Sequence, residues 1–161
     1  MNEIEIAYSL RYHSAYKRYR DQSKQVKKLL QHVLKNACAL LSIPVERVFV
    51  NLNPIKGQII GQFAENRNGD YSITIDPRKC VSKRLLCTTL MHEMVHVQQV
   101  HEGRMSYCRI NDNFLWNKKV YEVSEVGSRG YQEAPWEIEA YGREKHLGEI
   151  LLEIIEMTYK F

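Results

Sequence analysis

The chain has 161 residues, 44% of them hydrophobic and 26% charged, and carries a net charge of +4. That is enough chain for one domain with its own core, expected to span 1–161, and the mix excludes a disordered or collagen-like protein. No apolar run approaches the length of a membrane span, so no membrane partner is expected.

The opening residues, MNEIEIAYSL, lack the pattern of a secretion signal. Cys38, Cys80, Cys87 and Cys108 form no C-x-x-C pair. The expectation is free thiols in a reducing cytoplasm. Charge is uneven along the chain. Arg11, Lys17, Arg18, Arg20, Lys24, Lys27, Lys28 and Lys35 face the single acid Asp21 within 11–35, whereas the part after Glu133 is acid-rich. A basic segment of this kind suits a polyanion such as nucleic acid, or is simply a solvated face.

Residues 14–41 predict the first helix. Tyr16, Tyr19, Val26, Leu29, Leu30, Val33, Leu34 and Ala37 supply an apolar stripe, and Ile43-Pro44 ends it. Arg47–Asn53 alternates like a strand. A hairpin follows, with strands at Gln58–Phe63 and Tyr71–Ile75 and a turn around Asn68-Gly69-Asp70. Ser82 caps a second helix running to about His101, with Gly103 as its stop. NFLWNKKVYEV predicts a short strand or tight hairpin near Trp116. Pro135 opens a long final helix to about Met157. This order predicts an α+β fold.

Within the second helix the segment CTTLMHEMVHVQQV holds His92, Glu93 and His96 among apolar neighbours. Leu85, Leu86, Leu90, Met94, Val95, Val97 and Val100 cover the rest of the helix, so it is expected to be buried nearly all round. Two histidines four residues apart share one helix face. Buried imidazoles need partners, and a shared Zn²⁺ would supply one. Glu93 then has the place of a general base in an H-E-x-x-H arrangement. The bland alternative is a pair of core histidines bonded to backbone or carboxylates.

A third ligand is required. His101 lies about 140° further round the helix from His96, which removes it. On the final helix, Ala140, Tyr141, Glu144, Leu151 and Ile155 share the side of Glu137. Glu139, His146, Glu149 and Glu153 lie opposite. Glu137 is thus an acid on an inward face, a poor place for a lone carboxylate and a good one for a ligand. Glu133 is a loop alternative. Favourable placement of an acid at a helix N-terminus is the bland account of Glu137.

HEMVH followed by PWEIEAYGRE resembles the gluzincin-type small metallopeptidases, the ImmA/IrrE-like and minigluzincin groups. The resemblance covers residues 83–101 and 131–147. It implies a zincin-like fold: a small twisted sheet over the motif helix, and an edge strand that aligns a peptide or protein substrate. Glu137-Ile138-Glu139-Ala140 matches the E-x-x-A motif, with Glu137 as ligand. Related proteins carry Asp four residues after that Glu, where this chain has Tyr141. LMHEMVH also resembles SprT-like proteins, whose third ligand is a later His. Small proteins of this look are common in tailed bacteriophages, which would put the chain in a host cytoplasm.

The expected activity is peptide hydrolysis by a metal-activated water with Glu93 as general base. Tyr141 is the first candidate for an oxyanion donor, with Tyr131 and Tyr121 as alternatives. The strand Tyr71–Ile75 is the expected substrate edge. Trp116 and Trp136 wall a cleft or belong to the core. Two other readings stand beside this one. One is a zincin-fold binding protein without turnover. The other is a SprT-like, DNA-associated protease using the basic first helix.

Overall fold

The computed structural model describes residues 30, 32–108, 110–124, 126 and 130–158. The basic residues Arg11 to Lys28, and with them the nucleic-acid expectation, lie outside the described residues.

The architecture is α+β. Helix α1 is described at residues 30 and 32–40. Leu30, Val33, Leu34, Ala37, Cys38 and Leu41 are all buried on one stripe. Ser42, at φ 56°, turns the chain out of the helix, before Pro44 as expected.

One sheet holds β1 (Val48–Leu52), β2 (Gly61–Glu65) and β3 (Tyr71–Ile75) in the order β1-β3-β2. Alternation is clear in β1 and β3, where Val48, Val50, Leu52, Tyr71, Ile73 and Ile75 point into the core. β1 pairs parallel with β3, and β2 pairs antiparallel with it. The hairpin turn is where it was expected, with Gly69 at φ 83°.

Two expectations are corrected here. The strand Tyr71–Ile75 is flanked on both sides, so it cannot be a substrate edge. The edges, among the described residues, are β1 and β2, and β2 is the one that packs beside Glu93 and His96. Its span also shifts, from the expected Gln58–Phe63 to Gly61–Glu65. The reason is Lys79, whose ammonium gathers the carbonyls of Ile55, Gly57 and Ile59 and holds that stretch as a loop.

Helix α2 (Lys83–His101) begins at Ser82, whose hydroxyl accepts from the Leu85 N–H. Gly103 leaves it at φ 69°. A second sheet follows, β4 (Met105–Cys108), β5 (Asn113–Trp116) and β6 (Lys119–Glu122), joined antiparallel in that order. β4 is an addition to the expected hairpin. Asn117 and Lys118 both take positive φ, the two-residue turn that matches strand twist.

Helix α3 (Pro135–Thr158) runs back along α2, the principal helix–helix contact. The pairing is antiparallel: Gln99 meets Trp136, His92 meets Glu144, and Arg84 meets Glu149. At the crossing Gly148 lies against Thr88, and a Cβ there would stand 2.9 Å from Thr88 Cα. Ala140 is buried, and Leu151 and Ile155 join α2 and the first sheet in the main core. Trp116 and Trp136 join Met105, Val126 and Ala134 in a second cluster, so both indoles are core. No helix of the described residues is long and apolar enough to cross a membrane. Cys38, Cys80, Cys87 and Cys108 are all free.

Candidate metal centre

The site is built where the middle of α2 meets the first turns of α3. His92 and His96 project from α2 four residues apart, with Nε2 atoms 3.3 Å from each other. Glu137 comes from the first turn of α3 and is 3% exposed. Its Oε2 lies 3.4 Å from His92 Nε2 and its Oε1 lies 3.3 Å from His96 Nε2. Among the described residues these three form a group able to hold a metal ion, with one ligand atom from each within 4.8 Å of the others.

The outer nitrogens decide the tautomers. His96 Nδ1 is 3.0 Å from Gln99 Oε1. Gln99 spends its Nε2 on the Trp136 carbonyl, also at 3.0 Å, so the atom it turns to His96 is its acceptor oxygen. His96 Nδ1 must therefore donate. His92 Nδ1 lies 2.7 Å from Glu144 Oε2 and donates to that carboxylate. Both neutral imidazoles then present bare Nε2 lone pairs to each other and to a buried carboxylate. Three converging acceptors repel unless a cation or protons lie between them. Two imidazole nitrogens with one carboxylate form a donor set that suits Zn²⁺ and leaves a coordination position open. The residues fit the ion.

The electrostatics agree with that geometry. Burial raises Glu137, but the imidazoles of His92 and His96 outweigh it and hold the carboxyl down at about 2. His92 is shifted up: burial opposes its charge, and the surrounding carboxylates, Glu137 first, more than compensate. Glu93 is pushed up to about 7, chiefly by burial, with the two histidines opposing. A carboxyl so placed takes up a proton near neutrality. It sits one residue round the helix from His92 and faces β2. The approach is close because position 61 is glycine: a Cβ there would stand 2.8 Å from Glu93 Oε1 and 2.7 Å from Thr89 Cγ2.

Two tyrosines flank the centre. The Tyr141 ring packs on His92 at 4.7 Å between centroids, with 46% of the residue exposed. Burial, then Glu137, Glu144 and Glu93, raise its hydroxyl. Tyr131 is also half exposed, yet its hydroxyl faces the Glu137 carboxylate. Burial and that carboxylate push it up to about 12. Tyr121 instead stands edge-on to Trp136 in the second cluster. Phe63 of β2 covers His96, with ring centroids 6.2 Å apart.

The remaining candidates fall elsewhere. Glu139 is committed to Arg104 at 2.6 and 3.0 Å and to Arg143 at 2.9 Å, so it is an ion-paired acid and not the solvated one expected. His146 and Glu133 are exposed and outside the metal group. His101 bonds the Tyr71 hydroxyl at 3.2 Å. Two site residues, Glu144 and Gln99, belong to no motif of the sequence. Glu144 shares the face of Glu137, seven residues on, two helical turns. Gln99 stands three residues after His96, an amide in an apolar run. That pairing was its available signal.

Comparison of the chain with protein-family models, with curated proteins and with solved structures finds no match.

Proposed function

We propose that this protein is a zinc-dependent metallopeptidase with a zincin-like arrangement. The observation that carries the reading is the convergence of His92 Nε2, His96 Nε2 and the Glu137 carboxylate, with both Nδ1 atoms already committed. Bound there, Zn²⁺ would acidify its water ligand and polarise a substrate carbonyl.

The chain's own groups supply the rest. Glu93, buried next to His92 and facing β2, is the carboxylate placed to accept the proton of the attacking water and return it to the leaving amine. Glu144 and Gln99 keep the histidines turned so that both Nε2 atoms face the Glu137 carboxylate, where these three residues would hold the ion. Tyr141 and Tyr131 are the hydroxyls available to a developing oxyanion.

The β2 edge is the substrate-aligning strand of this reading. Asp76 N–H donates to Ile60 O and Asn66 N–H to Asp70 O, and these bonds bracket the β2–β3 ladder. Antiparallel ladders alternate, so Ile60, Gln62 and Ala64 turn their N–H and C=O groups toward β3. Gly61, Phe63 and Glu65 turn theirs outward. An extended peptide pairing with Gly61 and Phe63 would run beside Glu93 and the ligand histidines.

The test is zinc stoichiometry together with hydrolysis of a broad peptide library. The expected result is one Zn²⁺ per chain, and cleavage that Glu93→Gln abolishes while the metal stays. Full cleavage by Glu93→Gln, or zinc retained at full occupancy after His92→Ala with His96→Ala, would sink the reading.

A further inference from the structure

Asp76 and Lys79 lie outside the metal centre and form a densely bonded polar cluster beside the first sheet. Asp76 is fully buried. Its carboxylate accepts from the Ile55 N–H at 2.9 Å, the Arg78 N–H at 3.0 Å, and the Arg78 guanidinium at 2.9 and 2.6 Å. Lys79 Nζ stands 3.4 Å from the same carboxylate. That ammonium donates to the carbonyls of Ile55, Gly57 and Ile59 at 2.8, 2.9 and 2.7 Å.

Alternate carbonyls of one short loop therefore point at a single cation. Gly57, at φ 72°, allows the chain to curl around it. Backbone carbonyls turned inward on a loop have no strand partner, and the ammonium satisfies them beside the Asp76 carboxylate that it shares with Arg78. The loop is thus set by the β3–α2 connection, not by its own sequence.

Its position gives the cluster a role. Ile59, the last clamped residue, stands two places before Gly61, which packs on Glu93 and opens the free edge of β2. Ile60 between them is tied to the Asp76 N–H at 2.9 Å. We propose that Lys79 and Asp76 are positioning residues for the substrate edge, fixing the 55–60 loop so that β2 is presented beside the metal centre. This rests on the metallopeptidase reading for the identity of what β2 receives.

The experiment compares zinc-loaded wild type with Lys79→Met, which keeps the aliphatic stem and removes the ammonium. Two probes are titrated: acetohydroxamate, which engages only the metal, and a peptide hydroxamate, which also needs the edge strand. Amide hydrogen exchange is followed in parallel. Lys79→Met should weaken the peptide hydroxamate about tenfold or more. Acetohydroxamate affinity should stay within about twofold. Exchange should accelerate in 55–63 and not in α2 or α3. Equal loss for both probes with faster exchange throughout would overturn the proposal, because Lys79 would then serve general stability alone. Unchanged peptide affinity and unchanged exchange in 55–63 would overturn it too. If wild type binds neither hydroxamate, the metallopeptidase reading fails, and local exchange in 55–63 then decides whether Lys79 holds the strand. Lys79→Gln is the substitute if Lys79→Met does not fold.

Discussion

Gln99 takes the Nδ1 proton of His96 on its oxygen while its own amide nitrogen holds the Trp136 carbonyl, each at 3.0 Å. One buried side chain thus orients a ligand histidine on α2 and grips the residue just before Glu137 on α3. Gln99→Leu removes both bonds. Zinc affinity should fall about 10–100-fold, as for other partners of ligand histidines. Competition with a chelator of known affinity measures it, and an unchanged affinity would mean that His96 is oriented by packing alone.

The two glutamates of WEIEA should separate cleanly. Glu137→Gln replaces the buried anionic ligand and should abolish tight zinc binding. Glu139→Gln leaves the metal group intact but weakens the bonds to Arg104 and Arg143. It should cost about 1 kcal/mol of stability and leave zinc affinity unchanged. Zinc titration and thermal melting of both variants check this. Loss of metal in Glu139→Gln with retention in Glu137→Gln would contradict the site.

Gly148 and Gly142 lie on the same helix and should respond oppositely. A Cβ at Gly148 would meet Thr88 backbone at 2.9 Å, so Gly148→Ala must push α3 away from α2. Destabilisation of about 1–3 kcal/mol is expected, with weaker zinc binding, since Glu137 and Glu144 ride on the displaced helix. Nothing stands within 4 Å of a Cβ at Gly142. Gly142→Ala should stabilise by up to about 1 kcal/mol through helix propensity. Denaturant unfolding of the pair tests the difference in sign.

Metal-free protein should be more stable near pH 5 than near pH 8. Glu93 titrates at about 7 in the fold against 4.5 for the free group. A raised carboxyl pKa means that ionisation opposes folding, so stability declines as pH climbs from about 4.5 to about 7. His92, whose folded pKa is raised, adds stability below its unfolded value that is lost as pH rises through the folded one. Glu137 acts in the other direction. Held at about 2, it contributes stability above about 4.5 that is lost as pH falls toward 2. The decline from Glu93 amounts to up to about 3 kcal/mol. Chelator-treated protein melted across pH 4–8 checks it. Glu93→Gln should flatten the neutral part of the curve, and an equally steep curve in that variant would remove Glu93 as its cause.

Local pattern carried much of this protein. The apolar stripe of α1, the alternation of Val48–Leu52 and Tyr71–Ile75, the Ser82 cap and the Pro135 start all depend on neighbours within a few residues. Helical periodicity alone set His92 and His96 on one face and turned Glu137 inward with Ala140, Leu151 and Ile155. Tertiary structure decided whatever depends on partners distant in the chain. The parallel pairing of β1 with β3 put Tyr71–Ile75 in the middle of the sheet and left β2 as the edge beside the site, because strand order is a matter of packing and not of periodicity. Lys79 reached back to the carbonyls of Ile55, Gly57 and Ile59 and delayed β2, which no propensity encodes. Glu144 became the partner of His92 only because α3 lies antiparallel on α2 at the distance that Gly148 permits, and the Trp136 carbonyl on α3 decides which end of the Gln99 amide turns to His96. Orientation of the ligand nitrogens is a property of that crossing, and a hydrogen bond between helices exists only once they have docked.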